Sequence, residues 1–73
     1  MTMNKFIPGR LYQRIKESRF KGVPVTIGKT YKALPETTSG MLVYVNDNGL
    51  TEKCNIKYRD CWKEVFNDYY DMY

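Results

Sequence analysis

Residues 41–58 read MLVYVNDNGLTEKCNIKY, and this stretch decides the fold. Met41–Val45 is β-branched and aromatic, a composition typical of a strand. The turn residues that follow tolerate positive φ, and Asn48-Gly49 is the preferred type I′ pair of a tight hairpin. Leu50–Tyr58 then returns as the partner strand, with three side chains on one face at a spacing of two: Cys54, Ile56 and Tyr58. The stretch therefore predicts a β-hairpin over about residues 41–58.

Three shorter segments precede the hairpin. Arg10–Lys16 alternates at strand spacing, although a helical turn fits the same residues. Val23–Ile27 places apolar side chains at a period of two, and Pro24 confines this predicted strand to a sheet edge or to its own first residues. Gly28 predicts a strand break or a bulge, after which Lys29–Leu34 resumes an extended run.

The C-terminal segment supports two interpretations. On a helix with Asp60 as its N-cap, the large side chains form one continuous stripe: Trp62, Val65, Phe66, Tyr69, Tyr70 and Tyr73. The alternative is a turn followed by a closing strand, although residues 62–66 alternate poorly. The helical period favours a short helix, and Trp62 and Val65 belong to the core in both interpretations.

The length of the chain limits it to one small domain, residues 1–73. With 73 residues and 8.7 kDa, it is too short for a two-domain enzyme, a full nucleotide-binding α/β fold or a (β/α)₈ barrel. The aromatic share of 15% is high, which is typical of a folded chain and not of a disordered one. We expect a mainly β domain, or an α+β domain if the C-terminal helix forms.

Charge is distributed unevenly along the chain, whose formal net charge is +4. Residues 1–32 carry eight basic side chains and one acidic side chain, whereas residues 33–73 carry four basic and seven acidic ones. A positive region attracts nucleic acid or an acidic protein surface. Solvated charges that keep a small protein soluble are an equally good explanation.

The cysteine content and the apolar pattern predict a cytoplasmic location. Cys54 and Cys61 alone do not make the disulfide framework of a small secreted domain, so we expect free thiols. No apolar run has the length of a signal peptide or approaches the ~20 residues of a membrane span. We therefore expect no membrane partner.

The residue types present argue against catalysis. The chain contains no histidine, so it lacks a Ser-His or Cys-His nucleophile pair and the usual proton shuttle at neutral pH. Two cysteines cannot supply the four ligands of a structural zinc site. The carboxylates are spread through turns and the tail, where burial does not raise a pKa for acid–base work. We expect no enzyme activity, no catalytic residue, no metal site and no cofactor.

Two sets of residues are candidates for binding. The first combines basic side chains with an aromatic ring: Arg14, Lys16, Arg19, Lys21, Lys29 and Tyr31. The second is the ring-rich tail: Tyr69, Tyr70 and Tyr73. Tyrosine and arginine anchor protein interfaces, and the same combination on a small barrel also binds single-stranded nucleic acid. A third hypothesis is a homo-oligomer that captures a small anionic ligand such as a nucleotide.

The order of these segments resembles the small SH3-like barrel proteins of bacteriophages. The resemblance rests on three motifs, in chain order: Gly28-Lys29-Thr30-Tyr31, Val45-Asn46-Asp47-Asn48-Gly49 and Trp62-Lys63-Glu64-Val65. It covers about residues 23–66. The resemblance implies an SH3-like barrel that acts in the host cytoplasm as an accessory or host-takeover protein. Such a protein binds a host macromolecule, here a host protein that it inhibits or redirects.

Overall fold

The computed structural model describes residues 4–17 and 22–65, and these residues form a mainly β fold, as predicted. The structure contains these elements in chain order: strands β1 Leu11–Arg14, β2 Thr30–Lys32, β3 Met41–Val45 and β4 Thr51–Asn55, a 3₁₀-helix Ile56–Cys61, and strand β5 Trp62–Val65. Within the described ranges, no helix has the length and apolar character needed to span a bilayer.

The strands form two antiparallel sheets. β1 lies at the centre of the first sheet between β2 and β5, and its Arg14 pairs with Trp62. The second sheet is the β3–β4 hairpin, in which Val45 pairs with Thr51. Five strands in this order are consistent with an SH3-like arrangement, with a 3₁₀-helix before the last strand. Among the described residues, no ladder joins the two sheets into a closed barrel.

The predicted hairpin is confirmed, but its turn type and its end differ from the prediction. Gly49 N–H donates to the Asn46 carbonyl (2.9 Å), and Gly49 alone in this turn has a positive φ, +79°. This is the pattern of a type I turn followed by a left-handed glycine, so type I′ is wrong. β4 ends at Asn55, because the Asn55 side chain caps the 3₁₀-helix by accepting a hydrogen bond from Lys57 N–H (2.9 Å).

The strand predicted over Val23–Ile27 is wrong, because this segment makes no ladder. Val25 N–H bonds back to the Val23 carbonyl (2.8 Å), which bends the chain around Pro24. Thr26 N–H then donates to the Tyr31 hydroxyl (2.8 Å) and is not available to a neighbouring strand. The segment is therefore a loop that is fixed to the fold by side chains.

The closing strand, and not the favoured helix, is the correct interpretation of residues 62–65. β5 pairs with β1 along its whole length, from Arg14–Trp62 to Leu11–Val65. Pairing against a central strand satisfies the backbone groups that a short terminal helix would leave exposed. Trp62 is buried as predicted, whereas Val65 is only half-buried. The rest of the predicted stripe lies outside the described residues: Phe66, Tyr69, Tyr70 and Tyr73.

Aromatic rings from both sheets make the core. Tyr31 of β2, Tyr44 of β3 and Trp62 of β5 meet edge to face, with ring centroids 5.1–5.7 Å apart. Leu42 packs beside them and is fully buried. Because each ring comes from a different strand, these contacts pack the two sheets against each other.

Leucine-to-alanine substitutions at two positions test this core. Leu42→Ala removes a fully buried side chain and should lower the free energy of unfolding by about 2–5 kcal/mol. Leu50→Ala, in the exposed hairpin end, should change it by less than about 0.5 kcal/mol. Urea denaturation followed by Trp62 fluorescence measures both. Equal losses would contradict the assignment of Leu42 to the core.

Candidate functional site

The carboxylate of Asp47, in the hairpin turn, fastens three separate parts of the chain together. Its Oδ2 accepts a hydrogen bond from Thr26 Oγ1 (2.7 Å). Its Oδ1 accepts one from the Tyr31 hydroxyl (2.7 Å) and one from Lys29 Nζ (2.9 Å). The hairpin of one sheet is thereby joined to β2 of the other sheet and to the loop that precedes it. We call this arrangement the Asp47 brace.

The turn itself positions Asp47 for these contacts. The Asn46 side chain accepts hydrogen bonds from the backbone N–H groups of Asn48 (2.9 Å) and Leu50 (3.1 Å), which fixes the turn from inside. Asp47 N–H then donates to the Pro24 carbonyl (2.8 Å). The backbone and the side chain of Asp47 therefore both hold the same loop.

The brace changes the acid–base properties of its members. Hydrogen bonds from Thr26, Lys29 and Tyr31 lower the pKa of Asp47 to about 2. The hydrogen bond to Asp47 raises the pKa of Lys29, and burial raises the pKa of Tyr31. Asp47 is thus a firmly ionised carboxylate whose charge is already compensated, so it serves as a structural anchor and not as a proton donor.

Large apolar side chains are exposed around this brace. Ile27, Val45 and Leu50 are 51%, 44% and 63% exposed. They lie at the same end of the molecule, since Val45 and Leu50 flank the turn and Ile27 stands between two residues that bond to Asp47. We call these three residues the hairpin-end patch. Single exposed apolar residues are common, whereas these three lie on or beside the turn and the loop that the Asp47 brace joins.

The predicted basic residues do not form one open surface. Lys16 is paired with Asp60 (2.8 Å) and Lys29 with Asp47 (2.9 Å). Arg14 is only 3% exposed, with its guanidinium carbon 5.0 Å from the Trp62 ring centroid. Lys29 and Tyr31 do meet, because Lys29 Nζ lies 5.3 Å from the centroid of the buried Tyr31 ring. The other predicted binding residues lie outside the described residues: Arg19, Lys21, Tyr69, Tyr70 and Tyr73.

Sequence reasoning missed two features of this region. Asp47 was predicted only as a turn residue, although an acid in a turn has basic partners available at Lys29 and elsewhere in residues 1–32. The inward direction of Arg14 was missed because Leu11 and Ile15 make the opposite face of this segment the more apolar one, whereas the fold buries Tyr12 and Arg14. One signal for the inward direction of Arg14 was available in the sequence. Arg14 lies two residues from the aromatic Tyr12, and residues two apart share a face of a strand.

Comparisons with protein-family models, with curated proteins and with solved structures each gave no match to this chain.

The Asp47 brace predicts a specific loss of stability in acid. A lowered pKa in the folded state means that ionised Asp47 stabilises the fold above its ordinary pKa of 3.8, and that this stabilisation is lost as the pH falls towards about 2. Asp47→Asn should therefore be less stable than the wild type at pH 7, and the difference should shrink between about pH 4 and pH 2.

Urea unfolding over this pH range measures the difference, with Asp60→Asn as the control. Asp60 makes a single ion pair with the exposed Lys16, so its loss should cost less than the loss of Asp47, which accepts three hydrogen bonds. A gap between wild type and Asp47→Asn that stays constant from neutral pH to pH 2 would contradict the brace.

Proposed function

We propose that this chain is a non-catalytic accessory protein of bacteriophage type that binds a host protein and inhibits or redirects it, in the host cytoplasm. A defence enzyme or a nucleic-acid-processing enzyme is the class of target that we expect. The observation that carries the proposal is the hairpin-end patch: Val45 and Leu50 are exposed at the hairpin turn and Ile27 on the loop that the Asp47 brace joins to it.

A braced apolar turn suits a protein partner. A segment that is already ordered loses little conformational entropy when it binds, so more of the contact energy remains as affinity. Apolar side chains at the centre of an interface exclude water, and polar groups around them complete the rim. Thr26, Lys29 and Asp47 provide such a polar rim beside the patch.

The same geometry favours protein over nucleic acid as the partner. Phosphate backbones are bound by basic side chains that are free to displace counterions. Of the predicted basic residues that the structure describes, Arg14 is buried, and Lys16 and Lys29 each have an acidic partner. Fewer of their charges are therefore available to phosphates than the sequence suggests.

Affinity capture with matched variants tests the proposal. The full chain is immobilised, exposed to nuclease-treated bacterial lysate and washed at low and moderately high salt. We expect a protein partner that the wild type retains at both salt concentrations, since burial of apolar groups depends weakly on salt. Ile27→Asp and Leu50→Asp should each lose this partner, because they place a charge in the patch.

Thr38→Asp is the control variant for the added charge. Thr38 is exposed and bridges to Met41, at the opposite end of β3 from the patch, so this variant should keep the partner. Equal capture by all three variants, or capture that nuclease abolishes, would contradict the proposed function. A wild-type lane with no retained protein would contradict it as well.

A further inference from the structure

A pocket of about 180 Å³ opens where β4 and the 3₁₀-helix pass the end of β1. Arg14 and Tyr44 enter it from the core, and charged side chains of β4 lie beside them. The complete lining is Arg14, Val23, Tyr44, Glu52, Lys53, Cys54, Asn55, Tyr58 and Cys61. No member of the hairpin-end patch belongs to it.

Arg14 brings a buried positive charge to this pocket and forms no ion pair with the described residues. Its Nε–H donates to the Lys16 carbonyl (2.8 Å), and its guanidinium lies over the Trp62 ring. No carboxylate of the described residues lies within 4.0 Å of the guanidinium. Arginine has five N–H donors, and a buried charge is costly unless it is paired. The remaining donors are therefore suited to an anionic partner.

A second polar group near the pocket is also unsatisfied. The indole Nε1 of Trp62 is buried and has no hydrogen-bond partner among the described residues. Burial raises the pKa of the Cys54 thiol, which lines the same pocket. Burial, with Glu52 adding to it, also raises the pKa of Tyr44, so its hydroxyl keeps its proton and remains a donor. Tyr44 and Lys53 thus add donors to the pocket that Arg14 lines.

The charge and size of the pocket select the kind of anion. Glu52 lines the pocket and is itself held by Asn46 Nδ2 (3.1 Å), so a dianion such as phosphate would be repelled more strongly than a monoanion. The volume is below the roughly 300–1,000 Å³ of typical small-molecule pockets, which is too small for a nucleotide. A planar carboxylate matches the donor geometry of a guanidinium.

We propose that the Arg14 pocket binds a carboxylate group, with the Arg14 guanidinium as its principal ligand. The carboxylate belongs either to a small carboxylic acid or to the C-terminus of a peptide. This inference does not depend on the proposed function, because the pocket and the hairpin-end patch share no residue.

Trp62 provides the readout, because it is the only tryptophan of the chain and its indole lies next to the Arg14 guanidinium. The wild type is titrated with acetate and, separately, with neutral acetamide at constant ionic strength, while the indole N–H resonance is followed by NMR. Acetate should move this resonance in a saturable manner and acetamide should leave it in place. Equal responses to the two probes would overturn the proposal.

Further titrations distinguish the sources of the carboxylate. N-acetylglycylglycine and its C-terminal amide differ only in the carboxylate, so tighter binding of the acid than of acetate would indicate a peptide C-terminus. Acetate binding without any gain for the peptide would indicate a small acid. Phosphate should bind more weakly than acetate, because Glu52 repels a dianion more strongly than a monoanion. Tighter binding of phosphate would contradict the assignment of a carboxylate as the ligand.

Variants assign the binding to Arg14. Arg14→Gln should weaken acetate binding by about tenfold or more, and Arg14→Lys should restore only part of it, because lysine keeps the charge without the planar donors. Lys16→Gln is the matched control, since it removes a positive charge two residues away that does not line the pocket. Undiminished acetate binding by Arg14→Gln would overturn the proposal. If that variant does not fold, the comparison of acetate with acetamide on the wild type still tests the proposal.

Discussion

The placement of the Arg14 guanidinium over the Trp62 ring is the contact on which the rest of the fold depends. Arg14 ends β1 and Trp62 begins β5, and the two residues are also paired in the first sheet. A cation over an indole that is shielded from water contributes roughly 2 kcal/mol or more, which offsets part of the cost of burying the charge. Trp62 in turn contacts Tyr31 and Tyr44, so one side chain links the buried charge to the aromatic core of both sheets.

The Asp47 brace and the Arg14 pocket occupy different places in the fold and use charge in opposite ways. Asp47 is surrounded by donors that satisfy it, so its charge fixes the hairpin to β2 and the preceding loop. Arg14 lies over the Trp62 ring and lines a pocket with Tyr44, and it forms no ion pair with the described residues. The charge of Asp47 stabilises a turn, whereas the charge of Arg14 lines the pocket that we propose as a carboxylate site.

The sequence predicted those parts of the fold that depend on local pattern. The hairpin followed from the β-branched and aromatic residues within Met41–Val45 and from the turn residues Asn48-Gly49, and both signals lie within a few residues. The strand at Trp62–Val65 could not be predicted in the same way, because its pairing with β1 crosses about fifty positions and overrides the helical period. The burial of Arg14 and the partners of Asp47 also arise from tertiary contacts, so charge alone placed Arg14 on an outer face. Composition indicated a set of basic residues, and packing decided which of them remain exposed.

The most direct test of this account is the environment of the Arg14 side chain in solution. The Nε–H resonance of Arg14 is measured by NMR, with the exposed Arg59 as the internal reference. Because Arg14 is buried and its Nε–H is hydrogen-bonded to the Lys16 carbonyl, this proton should exchange with water much more slowly than the Nε–H of Arg59. An exchange rate equal to that of Arg59 would show Arg14 to be solvated, and would contradict both its contact with Trp62 and the pocket that it lines.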